Sequence, residues 1–263
     1  MISVIIPAFN AGPWITACLD SVWPWEEAEI VIVDDASVDD TAARLEAYLA
    51  SRPREGVTLL RNADNLGPAA ARNRGIAAAR GDWVLFLDAD NWVLPAIRPF
   101  SRTLDSQQAP MVFSEMLVAE GSTLTGAWYY RDVQRLDPAA LLASQPEVIL
   151  LRNYIDVFAF VARPVLDLER FDAAVLPGLE DWDLWVRLLL RGIRPRFVPE
   201  PLGVYRIRDG SLTIRQQADI HLQSARHLQL WARNLGRAEG QPEMQAAIAV
   251  AVARQCRRLL EEG

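Results

Sequence analysis

Trp83-Val-Leu-Phe-Leu-Asp88-Ala-Asp90-Asn91 decides how this chain is read. Five apolar residues in a row, closed by two carboxylates one residue apart, fit a short strand buried on both faces that ends in a polar turn. The pattern repeats upstream. Val4–Ile6 reads as a strand ended by Pro7, Ile30–Val33 as a second that runs into Asp34-Asp35-Ala-Ser37, and Val57–Leu60 as a third. Helical stretches separate them. Gly12-Pro13 opens one that runs to about Val22, with proline at the first helical position, where its missing N–H is harmless. Ser37, with Asp40 three residues on, resembles a capping box for a helix to about Ala50. Pro68 begins an Ala-rich helix that Gly81 closes. Continuous apolar strands alternating with helices of this length predict an α/β fold, a mostly parallel central sheet with helices on both faces.

Beyond residue 100 the alternation loosens. Met111–Val118, Val157–Val161, Arg196–Val198 and Gly203–Ile207 read as strands, and Glu180–Arg191 as a helix with Trp182, Trp185, Leu188 and Leu189 at helical spacing. From Leu212 onward two helical stretches are broken around Gly236–Pro242. The expected organisation is a domain over 1–213, with a nucleotide-binding half (1–100) and an acceptor half (101–213), followed by C-terminal helices over 214–263.

The bulk chemistry narrows the function. The chain has 263 residues, 51% hydrophobic and 23% charged, the balance of a globular protein. Its net charge of −7 argues against a nucleic-acid partner, which needs a basic face. All 27 basic residues are arginine. Cys18 and Cys256 cannot by themselves build a structural zinc site. Met1–Pro7 lacks the basic leader of a signal peptide, and runs such as Ala246–Ala253 are far short of a membrane span. A cytoplasmic protein is expected, with at most peripheral contact at the inner membrane, for which Arg254, Arg257 and Arg258 are the candidates.

Ligands of open parallel sheets bind beyond the carboxyl ends of the strands. Pro7–Asn10, Asp34–Ser37 and Asp88–Asn91 therefore carry functional weight. Neither G-x-G-x-x-G nor G-x-x-x-x-G-K-[ST] is present to cradle phosphates. Two carboxylates as close as Asp88 and Asp90 need a partner if buried, and Mg²⁺ or Mn²⁺ prefers such oxygen ligands together with substrate phosphates. The plainer reading, a solvated turn or a cap on a helix over Asn91–Phe100, stays open. Asp35 could accept a base N–H or ribose hydroxyl, or merely feed a turn. Arg72 or Arg74 could reach a nucleotide, with Arg74 better read as an exposed helical face.

The motifs together resemble a known set. Ser3-Val-Ile-Ile-Pro-Ala-Phe-Asn10, Val33-Asp-Asp-Ala-Ser-Val-Asp-Asp-Thr41, Asn65-Leu-Gly-Pro-Ala-Ala-Ala-Arg-Asn73, Phe86-Leu-Asp-Ala-Asp90 and Glu180-Asp-Trp-Asp-Leu-Trp185 occur in the order and approximate spacing of the family 2 glycosyltransferases of the GT-A fold. The resemblance covers about residues 1–213. It implies a Rossmann-like nucleotide-binding sheet and inverting transfer from a nucleotide-diphosphate sugar, UDP-sugars favoured, to a glycan, lipid-linked or other hydroxyl acceptor. It implies that Pro7, Phe9 and Asp35 wall the nucleoside, that Asp90 binds the metal with Asp88 in support, and that Asp181 is the catalytic base, with Glu180 as the alternative.

Physical reasoning supports Asp181. A general base must be ionised at working pH, and the positive end of a helix favours the ionised form. One departure concerns Arg208, which stands in Tyr205-Arg-Ile-Arg208-Asp-Gly-Ser-Leu-Thr213 where many relatives have histidine. Arginine cannot ligate a metal, but its fork of donors suits a diphosphate. The Q-x-x-R-W segment of processive synthases is absent, so single-sugar transfer is expected. His221 and His227 do not share a helical face and receive no metal role. Trp23, Trp25, Trp128 and Trp231 read as packing residues, whereas Trp182 could pack or stack on a sugar. Two rival functions remain: a catalytically silent nucleotide- or glycan-binding module, and a sugar nucleotidyltransferase, which normally needs the missing Gly-rich loop.

Overall fold

The computed structural model describes residues 1–144, 146–150, 152–208 and 220–262. Its first half runs β1 (Ile2–Ala8), α1 (Gly12–Val22), β2 (Ala28–Asp34), α2 (Thr41–Ser51), β3 (Val57–Arg61), α3 (Gly67–Ala78) and β4 (Trp83–Phe86). Then follow β5 (Trp92–Val93), α4 (Ile97–Ser101), β6 (Met111–Glu120), β7 (Thr123–Trp128), a π-helical turn (Tyr129–Gln134), α5 (Pro138–Ser144) and a 3-10 turn (Pro146–Leu150). The chain continues with β8 (Ala159–Ala162), α6 (Arg163–Leu168), α7 (Glu180–Leu190), β9 (Pro195–Ile207), α8 (Ile220–Arg237) and α9 (Pro242–Glu262).

The nine strands form one sheet in the order β3-β2-β1-β4-β8-β6-β9-β5, with β7 paired to β6. The ladders among β1 to β4 and the long β6–β9 ladder are parallel, so most paired residues lie in parallel register. β8 enters antiparallel between β4 and β6 and joins the two halves. Val4, Ile5 and Ile6 have no exposed surface. Successive strand side chains point to opposite faces, so β1 is covered on both. α3 reaches it closely because Gly75 has no side chain: a Cβ there would lie 2.4 Å from Ile5 Cγ2.

Several boundaries differ from expectation for identifiable reasons. β1 does not stop at Pro7, which pairs with Val33. The β1–β4 ladder ends at Ile5–Phe86, and Pro7 faces the same side as Ile5, so its missing N–H leaves no ladder bond unmade. Ser37 does not cap α2. Its Oγ accepts the Asn10 N–H at 3.0 Å, and the helix begins four residues later, where Asp39 accepts the Thr41 N–H at 3.0 Å. Gly81 does not close α3, which ends at Ala78. It allows close approach instead, since a Cβ there would sit 2.7 Å from Ser3 N.

The two strands expected over 196–207 are one continuous β9. Pro199 and Pro201 lie between them, where the register against β6 shifts around Glu115. The helix expected over 91–100 is a two-residue strand followed by the short α4. The start expected at Leu212 for the C-terminal helices lies outside the described residues. α8 is tied to the domain by Trp231 Nε1, which donates to Leu150 O at 2.6 Å, and by Asn234 Nδ2, which donates to Asp183 Oδ1 at 3.2 Å. Among the described residues no helix is long and apolar enough to cross a membrane.

Candidate functional site

The loops after β1, β2 and β4 meet at the carboxyl end of the sheet. The first two are laced together. Asn10 Oδ1 accepts the Val38 N–H at 2.9 Å, while Asn10 and Ala36 hold positive φ angles of 51° and 59°. That conformation is uncommon for alanine and marks strain held by its surroundings. Phe9 stands 46% exposed in this rim, and Val38 and Leu66 are exposed beside Asp35. Asp35 itself is buried. Its Oδ1 accepts Asn62 Nδ2 at 2.5 Å and the Leu66 N–H at 3.0 Å, and its Oδ2 accepts the Gly67 N–H at 2.8 Å. The carboxylate thus ties β2 to the start of α3.

Arg72 is turned inward. It is 4% exposed, with Nη1 on Glu180 Oε1 and Nη2 on Asp88 Oδ1, both at 2.7 Å. The direct nucleotide contact expected of it is not what the geometry offers, because both nitrogens are committed to carboxylates. Arg74 lies on the surface, with Nη1 donating to Arg61 O at 2.5 Å. Asp90 Oδ2 accepts Arg208 Nε at 2.5 Å. Burial, then the Asp88 charge, push the Asp90 carboxyl up, and Arg208 opposes them. Arg208 therefore faces the aspartate, with about a third of its side chain still open. The Asp209–Thr213 part of its motif lies outside the described residues. Arg206, given no role from sequence, clamps this loop from behind. Its guanidinium lies 4.5 Å from the Trp14 ring and 4.6 Å from the Trp92 ring, and its Nε donates to Asp90 O at 2.7 Å.

Asp181 lies in the first turn of α7 and is half-buried. Its Oδ1 accepts the Trp182 N–H at 2.7 Å and its Oδ2 accepts Asn153 Nδ2 at 3.0 Å. Burial, then Glu180 and Asp156, push it up to about 7, while Arg72 and the Trp182 N–H pull the other way. Burial and the neighbouring carboxylates thus oppose the ionised form that the helix end favours. Glu180 is buried, held by Arg72 and by the Gly178 N–H. Trp182 is no sugar platform. It is 2% exposed, donates through Nε1 to Ile149 O, and packs edge-on against His227 and Trp231.

Asn153 and Asp156 were missed. They sit in the loop before β8, in a segment with no motif spacing, and nothing local marks them. Asp156 is likewise pushed up to about 7, chiefly by burial, with Asp88 and Asp90 adding to it and the Phe158 N–H opposing. Tyr129 and Tyr205 pack nearby with ring centroids 4.7 Å apart and planes tilted by 40°. Among the described residues no three His, Cys, Asp or Glu side chains converge as a metal cluster. The oxygen donors of Asp90 and Asp88 nonetheless fit Mg²⁺ or Mn²⁺, which take one or two carboxylates and complete their shells from water and phosphate.

A model of the family described as Glycosyl transferase family 2 matches residues 3–167, more than half of the chain. The uncharacterized protein MT1568 of Mycobacterium tuberculosis is 32% identical over 231 residues, covering 83% of this chain and 70% of that protein. The UDP-Glc:alpha-D-GlcNAc-diphosphoundecaprenol beta-1,3-glucosyltransferase WfaP of Escherichia coli is 26% identical over 231 residues, covering 85% and 84%. Other relatives are longer, and the chain spans 62% of one and 28% of another. Among solved structures, Staphylococcus aureus TarS 1–349 in complex with UDP-GlcNAc superposes with a TM-score of 0.70 at 19% identity, covering 98% of this chain and 72% of that one. The fold is of the GT-A type, and by its matched sequence and its relatives this chain belongs to the family 2 glycosyltransferases.

Proposed function

We propose that the chain transfers a single sugar from a nucleotide-diphosphate donor, preferably a UDP-sugar, to an acceptor hydroxyl with inversion. One observation carries this reading: Arg72 ties Asp88 at the end of β4 to Glu180, the neighbour of Asp181, and Asp156 lies within electrostatic reach of Asp88, Asp90 and Asp181 alike. Asp181 takes the proton of the acceptor hydroxyl as that oxygen bonds to the anomeric carbon. The bond from that carbon to the phosphate oxygen breaks, and the nucleoside diphosphate leaves with the electron pair. Asp181 at about 7 is matched to such work near neutral pH. Asp90, supported by Asp88, would hold a divalent cation, which when bound supplies charge neutralisation to the leaving diphosphate. Arg208 is placed to share that task, since its remaining N–H groups suit phosphate oxygens.

Phe9 and Pro7 form the wall for the nucleobase. The hydrogen-bonding capacity of Asp35 supports a preference among bases. Oδ1 already has two donors, whereas Oδ2 has one and keeps a lone pair. Uracil or thymine presents one ring N–H to such an acceptor, whereas guanine presents a pair of donors that needs both oxygens. WfaP is named for a UDP-Glc donor and TarS was solved with UDP-GlcNAc, which agrees with this preference. The acceptor is a glycan, lipid-linked or other hydroxyl compound, met by the 101–213 half, with 214–263, which carries α8 and α9, as an extension. Transfer of a hexose, action at the cytoplasmic side, and at most peripheral membrane contact belong to the same proposal.

The Arg208–Asp90 ion pair favours a second reading, a nucleotide-binding module without turnover. Calorimetry with UDP and with GDP in the presence of Mn²⁺, beside an assay of UDP release from UDP-glucose, UDP-galactose and UDP-N-acetylglucosamine, separates the two. Binding of UDP over GDP with turnover is expected. Binding without turnover selects the silent module, and no binding of any nucleoside diphosphate ends both.

A further inference from the structure

The loop that carries Asn153 is built into the wall of the site. Tyr154 and Ile155 are each 2% exposed and anchor it in the core. Trp185 Nε1, one turn along α7 from Asp181, donates to Ile155 O at 3.1 Å, and the Asp156 N–H donates to the Tyr130 hydroxyl at 3.0 Å. Asn153 therefore sits on backbone held from two sides. Its amide has one sensible orientation. Oδ1 accepts the Ile155 N–H at 3.4 Å, which leaves Nδ2 to donate to Asp181 Oδ2 at 3.0 Å. A flipped amide would face oxygen to oxygen with the carboxylate.

We propose that Asn153 is a positioning residue for Asp181, its amide holding the carboxylate in the rotamer and the ionised form that proton removal from an acceptor requires. This rests on Asp181 being the base, as proposed above. With the Trp182 N–H on Oδ1 and Asn153 on Oδ2, each oxygen has one donor and keeps one lone pair for the acceptor proton. The charged and titratable groups around Asp181 divide by sign. Glu180 on the same helix and Asp156 on the Asn153 loop disfavour its charge, Arg72 from α3 favours it, and the nearby Tyr129 phenol of the π-helical turn stays neutral. Arg72 is already shared between Glu180 and Asp88. Asn153 hydrogen-bonds Asp181 directly, and such a bond favours the charged form.

The test is a titration of the full chain carrying ¹³C-carboxyl aspartate, with the Asp181 resonance assigned by its loss in Asp181→Asn. Asn153→Ala should raise the Asp181 midpoint by about one unit, the effect of a lost hydrogen bond to a charged group. Asn153→Asp keeps the size but replaces a donor with a carboxylate and should raise it further. The acidic limb of UDP release from the best UDP-sugar should move with it. At pH 6 this gives a loss of kcat of roughly tenfold that narrows at pH 9, with the donor KM unchanged. An Asp181 midpoint unmoved in both variants overturns the inference. A midpoint that moves while the rate limb stays, or an Asp181→Asn variant that turns over normally, overturns the assignment of Asp181 as base instead.

Discussion

Arg72 offers a quantitative test of how the two halves of the site are joined. Its side chain is 5% exposed and that of Glu180 is 6%, so the 2.7 Å pair between them is a buried ion pair. Asp88 is 35% exposed, and its 2.7 Å pair is discounted for solvent screening to about 1 kcal/mol or less. Arg72→Met preserves most of the volume but strands Glu180, which among the described residues keeps the Gly178 N–H and the more distant Arg226 charge. Removing one partner of a buried pair costs about 3–5 kcal/mol. For a chain of this size that is a fall in Tm of roughly 6–15 °C. Arg72→Met with Glu180→Gln removes the stranded charge while leaving an acceptor for Gly178, and should recover more than half of the loss. Urea denaturation at pH 7.5, fitted for midpoint and slope, measures both variants. A single variant within about 1 kcal/mol of wild type, or a double variant no better than the single, refutes the view that the Glu180 charge depends on Arg72.

Three further outcomes follow from the site. Asp181→Asn should lower the rate of UDP-sugar turnover by ~10²–10⁴ with UDP affinity kept, whereas Glu180→Gln should lose stability more than turnover; lost UDP affinity with normal saturated turnover makes Asp181 a binding residue. Arg208→Ala releases Asp90 Oδ2 and should tighten Mn²⁺ binding, while Asp90→Ala should abolish both Mn²⁺ binding and transfer; full activity in EDTA would sink the metal assignment. Asp156, at about 7 in the folded state, binds its proton more tightly than in the unfolded chain. Its contribution is complete below about pH 4 and is lost as pH rises through 7, worth on the order of 4 kcal/mol. Asp156→Asn should narrow the difference in Tm between pH 5 and pH 8, and an unchanged difference counts against the shifted carboxyl.

Sequence alone determined the parts of this protein that repeat locally. Apolar runs between helical stretches marked β1 to β4, and the polar residues at their ends marked Asp35, Asp88 and Asp90, because strand burial and helix periodicity are written in neighbouring residues. The acidic start of α7 was legible in the same way. Tertiary structure decided what those groups touch. Arg72 meets Glu180 across 108 positions and Arg208 meets Asp90 across 118, separations at which no period carries information. Asn153 and Asp156 acquired their place only because β8 inserts antiparallel between β4 and β6 and brings its preceding loop to Asp181. The surroundings of Asp181 were decided there too. A helix end read from sequence favours the charge, and Glu180 beside it opposes it, but the burial and the Asp156 carboxylate that also oppose it exist only once the chain is folded.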